Sequence, residues 1–490
     1  MLSFAIGRIE GPWTNFVPPI QGGKFRSESD PTPDYPDALS DETLPSTFVL
    51  SEAETRSPSP TSSLSSDDQS FLFDPSVRRR TNASSASSVT SISSNPDPVP
   101  YSVDMQTRID LVADQAKYPS TDAATQAGIV DSYRELQRKI EAAGLYNCNY
   151  SAYVVELARY ALLFGGSMFL LSVGWYKTSA FLLGCFWHQL VFSAHDAGHI
   201  AITHNYQIDT VLGILVADFC GGLSLGWWKR SHNVHHIVTN DPAHDPDIEH
   251  LPFFAVSHRF FTNLFSTYYD RVLPYDAFAK IVVPFQHYLY YPILCFGRFN
   301  LYRLSWEYLI LGLGPRRGQA AWHRWLEITG QFFFWTWFGY GLIYSSLPDN
   351  STRFSYVMIS HMATMLVHVQ ITLSHFAMST SDFGPGESFA QKMLRTTMDV
   401  DCPEWLDFFH GGLQFQAVHH LFPRVPRHNL RKAQKFVIEF CKETGIPYSI
   451  YGFHDGNKEI IGRLGEVARQ AKVMAQCQKV MMEKGEFGHF

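Results

Sequence analysis

From residue 154 onward, long apolar runs alternate with polar stretches. The run at 154–175, interrupted only by Glu156 and Arg159 near its start, matches the span of about 20 helical residues that crosses a bilayer's hydrocarbon. After a short turn at 176–179 a second run, 180–192, returns, so the pair predicts a membrane hairpin. A second hairpin is predicted by the runs at 331–346 and 354–375, which flank the polar loop 347–353. Two further apolar stretches are expected not to cross. The one at 209–228 should dip into the membrane or lie at its interface, and 282–299, with Pro284, His287, Pro292 and Arg298, should lie along the interface. The pattern over 429–484 suggests amphipathic helices packed on the same side as the intervening polar stretches.

Those polar stretches carry the chemistry. HDAGH at 195–199, HNVHH at 232–236 and QAVHH at 416–420 hold seven histidines in three clusters. Imidazole is a neutral nitrogen ligand, so several together bind a divalent transition metal and leave positions open for oxygen. On a helix, His195 and His199 stand at i and i+4, and His232, His235 and His236 at i, i+3 and i+4, so each cluster presents its rings on one face. A single buried histidine is ordinarily a satisfied core residue; three clusters, each beside an apolar segment, point to a metal site on a membrane protein. If they share metals they must face one compartment, and four crossings achieve that.

Composition refines this picture. The mean hydropathy of -0.10 averages two unlike parts. Residues 51–100 alone hold 16 Ser and 6 Pro, too little apolar surface to offset chain entropy, so 27–104 reads as a disordered Ser/Pro/Asp-rich region. Residues 1–26 form a short segment of no assigned role; 1–13 lack a basic start and apolar core, so membrane entry is expected from an internal segment. A cytosolic helical entry segment (105–153), a membrane domain (154–440) and a C-terminal cytosolic tail (441–490) follow. The net charge of -7 without a basic aromatic stripe argues against nucleic acid. Seven scattered cysteines without a CxxC pair form neither a zinc ribbon nor a disulfide framework, and suit a reducing face or an apolar interior. Basic residues from Lys229 and Arg230 through Arg298, Arg303, Arg316, Arg317 and Arg324 to Arg424, Arg427, Arg431 and Lys432 lie on the cluster side, whereas the hairpin turns carry only Lys177 and Arg353; the clusters should therefore be cytosolic. The sequon Asn350-Ser351-Thr352 lies on the opposite face, too near the membrane to be used.

The three histidine boxes in this order, with LFPRVPRHNLR after the third, resemble the membrane fatty acyl and sphingolipid desaturases, and the glutamine heading the third box resembles their front-end branch. WWKRSHNVHHIVTNDPAHDPDIEHLP, CFGRFNLYRLSWEYLI and MDVDCPEWLDFFHGGLQFQAVHHLFPRVPRHNLRKA are similar to fungal delta-8 sphingolipid desaturases over roughly residues 105–490. The resemblance implies an all-α integral membrane desaturase fold with about four transmembrane helices in two hairpins, capped by a cytosolic helical domain holding a di-iron site. It implies two non-haem iron ions, dioxygen as oxidant, and His195, His199, His232, His235, His236, His419 and His420 as ligands. Gln416 takes the place of a ligand histidine, binding weakly or hydrogen-bonding to a metal-bound water. His375 matches an additional ligand histidine after the last hairpin. The implied setting is the endoplasmic reticulum membrane, with ceramide or a sphingoid base as substrate. Branch members usually carry a cytochrome b5 domain with an HPGG motif, which this chain lacks; either the sequence starts late or electrons come from a separate cytochrome b5 and its NADH reductase.

Other residues carry weaker expectations. His368 and His188 precede His375 and His195 by seven residues; the first is a ligand or an interhelical polar contact, the second a hydrogen-bonding neighbour of the site. His204, His244, His250 and His428 are expected outside it. Asp196 is expected to orient an imidazole, and Asp241, Asp245, Asp247 and Glu249 to form a solvated acidic loop. Trp227-Trp228 and Tyr290-Tyr291 are expected to anchor at the membrane interface. A front-end acyl desaturase of delta-5 or delta-6 type shares every ligand, a hydroxylase shares the oxidant, and a non-catalytic membrane protein could use the histidines for a structural metal.

Overall fold

The computed structural model describes residues 102–484, so the disordered reading of 27–104 falls almost wholly outside the described residues. Ser102 caps α1 (Val103–Gln115), and Asp122 caps α2 (Ala123–Ala142) through the Thr125 amide. Ile129, Tyr133, Leu136 and Ile140 form the buried stripe of α2, at the spacing of one helix face.

Asn149 caps α3 (Tyr150–Ser172), whose Val154, Val155, Leu157, Leu162 and Phe169 are exposed. The chain reverses at Gly174, in the left-handed region at φ 81°, and returns as α4 (Tyr176–Gly198), which continues past the apolar run to carry the first histidine box. Ser167 Oγ donates to Ser179 O (2.8 Å), Arg159 Nη1 to Gln189 Oε1 (3.0 Å) and Tyr153 OH to Asp196 Oδ2 (2.5 Å), the rungs of an antiparallel hairpin. Next, α5 (Tyr206–Ile214) runs into a π-helical segment, Leu215–Cys220, and breaks at Gly221-Gly222 before α6 (Leu225–Val238), which carries the second box. The bend between the two halves is 118°. The stretch expected to dip into the membrane or lie at its interface is thus two helices that double back at a glycine pair.

Strands β1 (Phe265–Ser266) and β2 (Arg271–Val272) make a two-stranded antiparallel sheet. The stretch expected along the interface is broken into α7 (Ala277–Val282), α8 (Gln286–Leu294) and α9 (Gly297–Leu311); Pro284 lies between the first two and Pro292 inside α8, where each removes a backbone donor. Then follow α10 (His323–Phe334), continued by a π-helical segment Trp335–Ser345, α11 (Asn350–Met362) and α12 (Met365–Leu373). Among the described residues two helices, α3 and the stretch Asn350–Leu373, are long and apolar enough to cross a membrane, and the bent α5–α6 pair is a third candidate. The other two expected crossings, in α4 and in α10 with its π extension, are helical but more polar.

The remainder is α13 (Phe389–Thr396), β3 (Asp399–Asp401), α14 (Asp407–His410), α15 (Gln416–Leu421) with the third box, α16 (Arg427–Thr444), β4 (Ile450–Gly452) and α17 (Phe453–Lys484). β3 pairs in parallel with β4, Asp399 opposite Ile450. The all-α expectation thus gains two sheets, each strand too short to leave an alternating pattern in sequence. The segment read as a C-terminal tail is packed: Ile460, Leu464, Val467 and Ala471 of α17 join Val369, Leu373, Met398 and Tyr290 in one core cluster. Another cluster joins α2, α13, α15 and α16, and a third is formed within the apolar helices around Leu183, Trp187, Phe334 and Tyr356.

Two basic residues counted toward the orientation are internal. Arg427 pairs with Asp196 and Glu156, tying α16 to the α3–α4 hairpin. Arg298 is 3% exposed, stacks over Trp187 at 4.1 Å and donates to Gly221 O and Tyr302 OH.

Where α4 and α11 pack, a Cβ on Gly184 would lie 2.5 Å from both Ser360 O and Ala363 Cβ. Gly184→Val is expected to destabilise the protein by about 1–3 kcal/mol, the usual range for overpacking. Gly462→Ala in α17, where a Cβ meets nothing within 4 Å, should be neutral or slightly stabilising. Thermal unfolding of the two detergent-solubilised variants checks the contrast.

Candidate metal centre

The helices deliver the three boxes to one place. α4 ends in His195 and His199, α6 presents His232, His235 and His236, and α15 presents His419 and His420. His195, His199, His232 and His419 form one group with candidate ligand atoms all within 4.8 Å of one another. The His195–His419 and His199–His419 ring centroids are 4.5 and 4.6 Å apart. His235, His375 and His420 form a second group of the same kind, all buried; His375 lies 4.6 Å from His235 and 4.9 Å from His420, ring to ring. His236 stands between them, 4.7 Å from His199 and 4.1 Å from His420, with its Nε2 3.1 Å from that of His232. All eight predicted histidines are therefore brought together. Gln416 is buried one turn before His419, with its Oε1 unpartnered.

The donor set fits a metal. Nε2 of His195, His199, His419 and His420 and Nδ1 of His236 and His375 are buried with no hydrogen-bond partner. Buried unpaired polar atoms are destabilising by about 1–3 kcal/mol each, and coordination satisfies them. Burial, and then the neighbouring histidines, push His375, His419 and His420 well below the ordinary imidazole range; they are neutral, with a lone pair available.

The outer nitrogens are held. His235 Nδ1 lies 2.8 Å from Asp245 Oδ2 and 3.0 Å from Oδ1, and His232 Nδ1 lies 3.4 Å from Asp247 Oδ2. Thr239 Oγ1 lies 3.2 Å from His420 Nδ1 and donates to His235 O at 2.6 Å. Such contacts fix the tautomer and leave the opposite nitrogen for the metal. The loop after the second box is thus no solvated acidic run. Asp245 is fully buried, turned inward by a tight turn at Asn240 (φ 59°), whose amide it accepts at 2.7 Å. Asp196 instead bonds Tyr153 and Arg427, not an imidazole.

Trp228, expected at the membrane interface, stacks on His232 at 4.4 Å and lies 5.3 Å from both His195 and His199. It accounts for the glycine of HDAGH: a Cβ on Gly198 would lie 2.1 Å from its ring. Tyr290 is fully buried, bonded to Thr372, whereas Tyr291 is 40% exposed. His368 and His188 lie outside both histidine groups. His204, His244 and His428 bond elsewhere, to Tyr146 O, Thr267 and Glu156, and His250 packs on Phe376. The inward carboxylates and Thr239 leave little trace in the sequence; the one signal is three aspartates within eleven residues of the box.

Comparison with known proteins places this geometry. A family model described as fatty acid desaturase matches residues 173–452. The chain is 61% identical to a Delta 8-(E)-sphingolipid desaturase of Emericella nidulans, over 100% of this chain and 86% of that protein. It is 49% identical to one of Candida albicans, over 97% and 86% of the two chains. A Delta(8)-fatty-acid desaturase of Helianthus annuus is 36% identical over 69% of this chain and 74% of its own.

Removing an outer carboxylate tests the site. Asp245→Ala is expected to lower metal affinity about 10–100-fold, the usual effect of losing such a partner. Asp241→Ala, whose side chain caps only the local turn at Ala243, should not. Metal content after dialysis against graded chelator distinguishes the two.

Proposed function

This chain belongs to the fatty acid desaturase family, and from that premise we propose that it introduces the E double bond at carbon 8 of a sphingoid base, most naturally within ceramide, using two irons and dioxygen. The observation that carries the proposal is the convergence of the three boxes and His375 into two adjoining groups of imidazoles. The substrate and the bond geometry rest on the names of fungal relatives that match nearly the whole chain.

Removing two hydrogens from an unactivated methylene pair is chemistry no side chain supplies; two irons and dioxygen supply it when bound. Per turnover the substrate gives up two hydrogen atoms, dioxygen receives them with two further electrons and two protons, and two waters leave. The chain's own residues set the conditions. His195, His199, His232 and His419 would hold one iron and His235, His375 and His420 the other, with His236 between them and Gln416 as a weak ligand or a hydrogen-bond acceptor. Asp245, Asp247 and Thr239 orient their rings, and Trp228 covers one group and excludes water.

Electrons are proposed to come from a separate cytochrome b5 and its NADH-dependent reductase. The proposed setting is the endoplasmic reticulum membrane, crossed four times, with the boxes cytosolic. One-sided convergence of the boxes supports an even number of crossings. With Arg298 and Arg427 internal, the orientation rests on exposed cations such as Arg230, Arg303, Arg316, Arg317, Arg424 and Lys432. A second reading, an acyl desaturase, is kept open by the name of the Helianthus annuus relative.

Expression in a fungal host lacking Δ8-unsaturated long-chain bases, with and without added cytochrome b5, tests the proposal. Mass spectrometry should find long-chain bases lighter by two hydrogens, more of them with the added donor, and none from His419→Ala. Altered fatty acids instead would favour the second reading; a gain of one oxygen would mean a hydroxylase. One metal per chain with no product would leave a structural metal site.

A further inference from the structure

A cavity of about 910 Å³ opens between α3, α4, the π-helical segment after α5, and α10 with its π extension. Helical periodicity builds its walls. α3 lines it with Tyr150, Leu157, Phe164 and Leu171, every seventh residue along one face, and α4 with Phe186, Leu190, Ser193 and Ala197. Ala197 lies two residues from both His195 and His199, about 200° around the helix from either. α4 therefore turns one face to the imidazoles and the opposite face to the cavity. A chain lying in the cavity cannot present a carbon to the metal site, so this is not the place of the chain that is oxidised.

Both π-helical segments of the described residues face the cavity, through Val216 and Phe219 in the first and Trp337 and Gly341 in the second. π turns are rare and occur mostly at functional sites. Here the two are pinned together at the wall, Trp337 Nε1 donating to Phe219 O at 3.0 Å. The Phe164 ring packs 5.2 Å from Phe186 and 5.8 Å from Trp337, and Phe219 packs 5.5 Å from Phe333. The hydroxyls of Tyr153, Tyr160 and Ser193 are engaged with Asp196, Glu156 and one another, so these walls offer a ligand apolar contact and read no headgroup.

The dimensions select the occupant. From Tyr150 to Leu171 the α3 face runs about 30 Å at 1.5 Å per residue, the thickness of a bilayer's hydrocarbon. Spread over that length, the volume leaves a cross-section of about 30 Å². A helix from a second copy, about 10 Å wide, would need about 80 Å². A hydrocarbon chain that touches its neighbours at about 4.5 Å needs about 20 Å². Tyr150, Leu157 and Phe333 rim the opening and are exposed, on stretches that the four-crossing reading puts in the bilayer.

We propose that this groove holds hydrocarbon chains of bilayer phospholipid in single file, as a fixed part of the fold that braces the π-helical segment ahead of α6 and thereby the second histidine box. The inference rests on the proposed membrane topology and is independent of the substrate.

The test uses the full chain reconstituted in phosphatidylcholine nanodiscs and released for native mass spectrometry. Ala161→Phe and Gly341→Leu grow into the groove; a Cβ on Gly341 meets only Thr336 O, at 3.5 Å, so the backbone accepts it. Leu162→Phe, at a side chain 76% exposed and outside the lining, is the control. The wild type and L162F should retain phosphatidylcholine that A161F and G341L lose. Exhaustive delipidation should lower the bound iron and turnover of the wild type, both recovering when phosphatidylcholine is returned, whereas the two filled variants should withstand it. Equal retention in all four proteins would overturn the proposal. So would displacement of the retained phospholipid by ceramide, which would make the groove a place for substrate, or loss of self-association in the filled variants, which would make it a contact between copies. Extraction of the wild type from membranes by alkaline carbonate would instead refute the membrane topology itself.

Discussion

Eight imidazoles from four separated parts of the chain must lie in mutual contact, each in a chosen tautomer, and most of the architecture follows from that demand. Charged rings at 4–5 Å would repel one another strongly in so dry a setting. Burial disfavours protonation of most of the rings, while Asp245 and Asp247 pull the other way and raise His235 to about 9; the outer nitrogens are taken up by Asp245, Asp247 and Thr239. His235, His232 and His420 thereby acquire a defined donor side and a defined lone-pair side.

Bringing the boxes together requires helices that end, bend or break at the right depth. α4 runs beyond its apolar stretch to place the first box; the glycine pair at 221–222 lets α5–α6 double back and place the second. Arg427, seven residues after the third box, is buried between Asp196 and Glu156 and fastens α16 to the α3–α4 hairpin. Breaking a buried pair costs far more than forming one gains, so this contact specifies how the halves dock more than it stabilises them.

How much of this was readable in the sequence depended on the range of the signal. The boxes, the helical hairpin at 154–192 and the amphipathic C-terminal helices all rest on local periodicity, which survives in any context. The tautomer-fixing aspartates did not, because an acidic loop has the same composition whether it faces water or turns inward at Asn240. Asp196 misled for the opposite reason: adjacency to a histidine in sequence says little about direction on a helix, where neighbours diverge by 100°. Trp228 and Tyr290 resembled interface aromatics until their partners, His232 and Thr372, came from elsewhere in the fold. The β3–β4 pair left no trace, since three residues per strand are too few.

That small parallel pair has a consequence for where the chain can end. Asp399 accepts the Ala417 amide at 2.8 Å, at the start of the third box, and is held by Gln434 and Tyr448, while β3 is closed by β4 at Ile450–Gly452. The clasp around the last histidines is therefore completed by residues that follow all three boxes in the chain. A chain cut short before residue 450 would carry all three boxes and lack the strand that braces the segment leading into the third.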